Sequence, residues 1–173
     1  MGDPPSPTAA LVTVVAADEQ GATDGVVVDV ERWAALAEAA ALASDARGEL
    51  TLTFVDRDEI AALNREHLGK DGPTDVLSFP LDADDAEPQP GVPVLLGDVV
   101  VCPAVAADQA AGHAGTVDDE LALLVVHGVL HVLGHDHAEP DEAARMRERE
   151  LELLQVHHWH GDAPAGFRQE HVS

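Results

Sequence analysis

The chain has little that could hold it together covalently and little that could bind a polyanion over a broad surface. Cys102 is the one cysteine, which excludes an internal disulfide framework. No stretch reaches the roughly 18 unbroken apolar residues of a membrane-spanning helix. Basic residues are scarce: 9 Lys and Arg stand against 33 Asp and Glu, the formal net charge is −24, and Lys70 is the single lysine. Such a surface repels polyanions over about one Debye length, which tells against an extended nucleic-acid-binding face. Net charge speaks to solubility more than to the chemistry of one site, so the balance also fits a solvent adaptation or an alanine- and aspartate-rich genome. The opening MGDPPSPTAALVTVV carries acid and prolines where a signal peptide has a basic flank and an apolar block, so a cytoplasmic protein is expected.

A length of 173 residues suits one domain that buries roughly 70% of the surface its unfolded chain exposes. Residues 1–9 are expected to be a flexible leader, 10–158 the domain, and 159–173 a polar, frayed tail. LVTVVA (11–16) has the β-branched composition of a strand. Asp29 can cap VERWAALAEAAALA as a helix. Leu50, Leu52 and Phe54 alternate with Thr51 and Thr53 as in a half-buried strand, and DRDEIAALNREHL follows as an amphipathic helix. GPT (72–74) separates it from VLSFPL, a strand with an edge-type proline at Pro80. The acidic DADDAEPQPGVP (82–93) reads as a mobile loop, and VLLGDVVV as a strand covered on both faces.

Pro103 suits the first turn of the helix PAVAADQAAGH. Thr116 and Asp119 form a capping-box pair before ELALLVVHGVLHVL, a helix apolar nearly all round and therefore central. Gly134 ends it. Pro140 opens DEAARMRERELELLQVH, where Met146, Leu151 and Leu154 are expected to face inward. The order βαβαββααα predicts an α+β fold, a small mixed four-stranded sheet packed with about five helices.

HGVLHVLGHDH (127–137) carries the chemistry. His127 and His131 are four apart, so on the central helix they stack on one face, with Cβ atoms roughly 6 Å apart, and can reach one ion. The turn allowed by Gly134 can bring in His137 as a third ligand. Three imidazoles leave a coordination position open to water, the layout of a catalytic metal site on the helix and the turn after it. Zinc is the first expectation, though nickel, cobalt or iron also accept imidazole. A chance cluster of histidines would instead have to find other partners for two polar rings on an apolar helix, at roughly 1–3 kcal/mol for each left unpaired. Asp136 suits an orienting partner for a ligating imidazole better than a ligand. His127, His131, Gly134 and His137 also match the metzincin spacing HExxHxxGxxH, but Gly128 replaces the glutamate that serves as general base there, which argues against a peptidase.

At these residues the chain resembles the YbeY family of bacterial metal-dependent endoribonucleases, also described as ribosomal RNA maturation factors. HGVLHVLGHDH looks like that family's HGxLHLxGxDH. The likeness extends to GPTDVLSFPL (72–81), LGDVVVCP (96–103) and the helix with Met146 and Glu150, and so to most of residues 50–155. It implies one zinc ion held by His127, His131 and His137 in a cleft, and single-stranded RNA cleavage in small-subunit ribosomal RNA maturation and ribosome quality control. The implied partners are ribosomal RNA and the small ribosomal subunit, with no DNA and no membrane. Asp75, Ser78 and Asp98 lie in family-like blocks and are candidates to line the cleft. Asp75, Ser78 and Asp136 are candidate catalytic groups beside the metal-bound water.

One departure stands out. Where many members carry an aromatic residue followed by arginine, LNREHLGKDGPTD has His67 and Leu68. Arg65 or Lys70 is the available substitute for a phosphate-clamping cation. That gap and the net charge keep open a metal-containing ribosome-assembly factor with little intrinsic nuclease activity, besides a metal-dependent hydrolase of another substrate. Cys102, just before a helix proline, reads as a small buried residue, and HHWH (157–160) receives no role.

Overall fold

Leu50, Leu52 and Phe54 are fully buried while Thr51 and Thr53 between them are half-buried, the period of a strand with one face on a core. The structure, a computed structural model, describes residues 12–21, 26–81, 94–135 and 138–169. The expected leader (1–9) and acidic loop (82–93) lie outside the described residues. Four strands form one sheet: β1 (Val12–Asp18), β2 (Gly48–Phe54), β3 (Val76–Pro80) and β4 (Leu95–Val101), in the order β1-β2-β4-β3. β1, β2 and β4 are parallel, and β3 is antiparallel to β4. Pro80 has no N–H to donate and sits on an edge strand, as expected.

Five helices accompany this sheet: α1 (Val30–Ala43), α2 (Arg57–Leu68), α3 (Pro103–Gln109), α4 (Val117–Val132) and α5 (Pro140–Leu154). The α+β architecture expected from the sequence is the one observed. Asp29 and Asp56 cap α1 and α2 by accepting from the backbone N–H of Arg32 and Glu59, each cap contributing about 1 kcal/mol. No helix among the described residues is long and apolar enough to cross a membrane.

The pleat of β4 divides its side chains between two cores. Val99 and Val101 join Trp33 and Leu36 of α1, Leu124 and Leu130 of α4, and Met146 of α5. Val100 points the other way, onto Leu77, Cys102 and Ile60 of α2. α4 packs against α1, α5, β3 and β4, which makes it the centre of the molecule. Its approach to β4 is made at Gly128. A Cβ there would lie 2.5 Å from Val99 Cγ1 and 3.3 Å from Ser78 Oγ, so the position has room for a hydrogen atom and nothing more.

Three local expectations need correction. Leu151 is only half-buried, and Leu153 takes its place beside Met146 and Leu154. Five residues on from Met146 is about 140° around a helix, off the stripe that seven and eight residues complete. The Thr116–Asp119 pair closes on one side only: Thr116 Oγ1 accepts from the Asp119 N–H at 3.1 Å. The Asp119 carboxylate instead accepts from His158 Nε2 and Trp159 Nε1, each at 2.8 Å. Those contacts also hold the segment expected to fray from Trp159. α5 runs on into a wider π-type turn, Gln155–Trp159. Trp159 and Phe167 then meet edge to face at 4.7 Å and pack against the main core.

Gly128→Ala is expected to lower the unfolding free energy by about 1–3 kcal/mol, because the added methyl is driven into a stiff, buried valine. Chemical denaturation measures it. With Val99→Ala added, the double variant should lose less than the two single losses summed, since the clashing methyl is gone.

Candidate functional site

From Asp119 to Val132 every residue of α4 is buried except His127 and His131. The apolar sequence of this helix seats it against neighbours on nearly all sides. The two imidazoles mark the opening. They stand one turn apart with ring centroids 4.8 Å from each other, and both line a cleft of about 700 Å³. The remaining lining comes from Leu68 to Ser78 on one stretch of chain, from Val105 and Gln109, from α5, and from Gln169.

After α4 the chain turns as expected. Gly134 adopts φ +100°, a conformation that glycine takes without strain, and its N–H donates to the His131 carbonyl at 3.0 Å. Asp136 and His137, which follow, lie outside the described residues. Among the described residues no group of three or more His, Cys, Asp and Glu is placed to hold a metal ion.

His127 has a carboxylate behind it. Its Nδ1 lies 2.9 Å from Glu150 Oε2, and Glu150 is only 3% exposed. A carboxylate accepts, so Nδ1 carries the proton and Nε2 is the nitrogen with a lone pair. The sequence reading missed this partner. Its signal was present: Glu150 falls four residues after Met146 on the inward stripe of α5, a charged residue where the pattern calls for an apolar one.

The other candidates separate. Ser78 lines the cleft and donates its hydroxyl to the Gly128 carbonyl at 3.2 Å, tying β3 to α4. Asp75 also lines it, and its carboxylate accepts from its neighbour Val76 N–H at 2.7 Å and from Gln109 Nε2 at 2.8 Å. Gln109 Nε2 donates as well to the fully buried Glu120 at 2.7 Å, which in turn binds His113 Nδ1 and the Ala114 N–H. Gln109 and Glu120 were not singled out from the sequence. Asp98 is not part of the cleft lining. It pairs with Thr51 across the sheet, on the face that the pleat turns away from α4, because the adjacent Val99 is the residue facing Gly128.

Leu68 does line the cleft, so the place where an arginine was expected is at the site and is apolar. Of the two substitutes, Lys70 lines the cleft and Arg65 does not. A further cation, Arg147 of α5, lines it too and was missed. Cys102 is fully buried, and burial pushes its thiol pKa up despite the backbone N–H groups of Val105 and Ala104. It stays a protonated thiol at neutral pH.

A family model described as Endoribonuclease YbeY matches residues 18–158. Among curated proteins, one named Endoribonuclease YbeY from Salinispora tropica is 50% identical over 115 residues, covering 62% of this chain and 70% of that protein. One with the same name from Beutenbergia cavernae is 47% identical over 138 residues, covering 75% and 89%. The solution structure of a Thermotoga maritima protein is similar with a TM-score of 0.55 at 26% identity, over 83% of this chain and 87% of that one.

The raised thiol pKa and full burial of Cys102 predict that thiol-specific reagents at pH 7–8 leave the native protein unlabelled and modify it on unfolding. Mass spectrometry after brief labelling checks this. Fast labelling of the native chain would show Cys102 to be accessible.

Proposed function

Since the chain belongs to the YbeY endoribonuclease family, as the match over residues 18–158 and the relatives at 47–50% identity establish, we propose that it is a single-strand-specific, zinc-dependent endoribonuclease of small-subunit ribosomal RNA maturation and quality control. The observation that carries the metal reading is the pair His127 and His131, the two residues of α4 from Asp119 to Val132 that are not buried, backed by Glu150 on the ring nitrogen of His127. The donors suit the ion: imidazoles are common zinc ligands, and a buried carboxylate on Nδ1 sets the tautomer that offers Nε2. His137, three residues past Gly134, is the proposed third ligand. Lewis acidity toward a phosphoryl oxygen, and a lowered pKa for the attacking water, are what zinc supplies in such a site.

The chain's own groups do the rest. Glu150 keeps the proton on His127 Nδ1 and fixes the ring's direction. Asp75 presents a carboxylate to the cleft, held by Gln109 and by the Val76 N–H, in a position to take a proton from water. The Ser78 hydroxyl is spent on the Gly128 carbonyl, which favours a positioning role over nucleophilic attack. Peptidase chemistry finds no support: the base of HExxH would fall at position 128, where even a methyl group meets Val99.

Purified protein is expected to hold about one zinc ion per chain, with loss of metal and of RNA cleavage in His127→Ala and His131→Ala. Metal analysis and cleavage of ribosomal RNA fragments, with casein as a peptide control, measure this. Full metal retention in the double variant would overturn the site. A metal-loaded wild type that cleaves no RNA while still binding the small subunit would favour the assembly-factor reading, which Leu68 in the cleft wall supports.

Glu150→Ala should weaken zinc affinity by about 10- to 100-fold in a chelator competition, and Glu150→Gln by less, because an amide oxygen can still accept from Nδ1. Equal affinity in all three proteins would show that Glu150 does not act on the metal.

A further inference from the structure

Arg147 is exposed and lines the cleft with Lys70 and Leu68. At helix spacing its neighbours are Ala143 and Ala144 one turn back, and Glu150 and Leu151 one turn on. Three of these are uncharged. The fourth, Glu150, is buried and committed to His127. Three other arginines are paired: Arg32 meets Asp118 at 3.0 Å, Arg57 meets Asp108 at 2.7 Å and Arg149 meets Glu152 at 3.0 Å. Among the described residues neither Arg147 nor Lys70 forms an ion pair. Of the cations without an ion pair among the described residues, Arg147 and Lys70 are the two that line the cleft with His127. The turn of α5 that carries Arg147 is also tied down, since its backbone carbonyl accepts from Gln169 Nε2 at 2.9 Å.

We propose that Arg147 and Lys70 form a phosphate-binding pair, which holds a phosphodiester of single-stranded RNA in the cleft next to His127. The pair rests on the ribonuclease reading of this cleft. The Arg147 guanidinium offers a planar fork to two non-bridging oxygens, and the Lys70 ammonium adds a point charge. Leu68 contributes apolar contact and no charge, so the guanidinium comes from α5 and not from the end of α2. A −24 chain thereby binds a polyanion through a local positive site while its remaining surface repels it.

The test measures binding of a fluorescent single-stranded RNA by anisotropy at several salt concentrations, alongside cleavage kinetics on the same RNA. Arg147→Gln and Lys70→Gln should each raise Kd and KM by about tenfold. Each should also lower the slope of log affinity against log salt by about 0.7. Arg149→Gln, outside the cleft and paired with Glu152, should change neither. Leu68→Arg added to Arg147→Gln should recover binding, which a merely structural role for Arg147 would not permit. Wild-type Kd and salt slope in both single variants would overturn the pair and leave the ribonuclease reading intact if the wild type cleaves. A wild type that binds without cleaving, with binding weakened in Arg147→Gln, would overturn the ribonuclease reading and uphold the pair. A wild type that neither binds nor cleaves overturns both.

Discussion

Helix α4 can lie on β4 because position 128 has no side chain. The gap between the helix and Val99 is filled by the valine methyl groups, and the seating it allows turns His127 and His131 outward while every other residue from Asp119 to Val132 is covered. A helix buried on nearly all sides loses little to motion, so the two imidazoles are carried on one of the most rigid parts of the molecule. That rigidity suits the proposed metal site, since ligands held in place spend little conformational entropy on binding an ion. The glycine that removes a peptidase base is the same glycine that makes the helix fit.

Acidic residues are more than a solvent coat. Three carboxylates are spent on histidines in or near the core: Glu120 on His113, Glu150 on His127, and Asp119 on His158. Each couples α4 to a different neighbour: the turn after α3, α5, and the segment after α5. A buried carboxylate is costly unless it is fully bonded, so these contacts specify which arrangement of helices is acceptable more than they add raw stability. Asp75 belongs to the same connected set through Gln109, which joins the cleft wall to the deeply buried Glu120.

On the proposed function, the electrostatic difficulty of an acidic nuclease is resolved at short range. Screening confines the repulsion of the outer surface to about one Debye length, whereas a guanidinium or an ion inside a cleft acts on a phosphate at contact distance. Selectivity follows from that contrast. Nucleic acid gains nothing from touching most of this surface and gains only by threading a strand into the cleft, which a flexible single strand can do more easily than a stiff duplex.

Much of the fold was legible because its signals are local. The caps at Asp29 and Thr116, the alternation around Leu50 to Phe54, the edge proline and the glycine stop at Gly134 all concern residues a few positions apart. The histidine pair belongs to the same class, since a four-residue spacing on a helix defines a shared face by itself. Tertiary structure decided the rest: that Glu150 stands behind His127, that Asp119 reaches forward to His158 and Trp159, that Asp98 faces away from the cleft and Arg147 into it, and why residue 128 must be glycine. Each of these depends on which elements lie side by side. A sequence determines the period of its own helices and strands, but which partner a side chain meets is settled only when segments distant in the chain compete to bury their apolar faces and satisfy their charges.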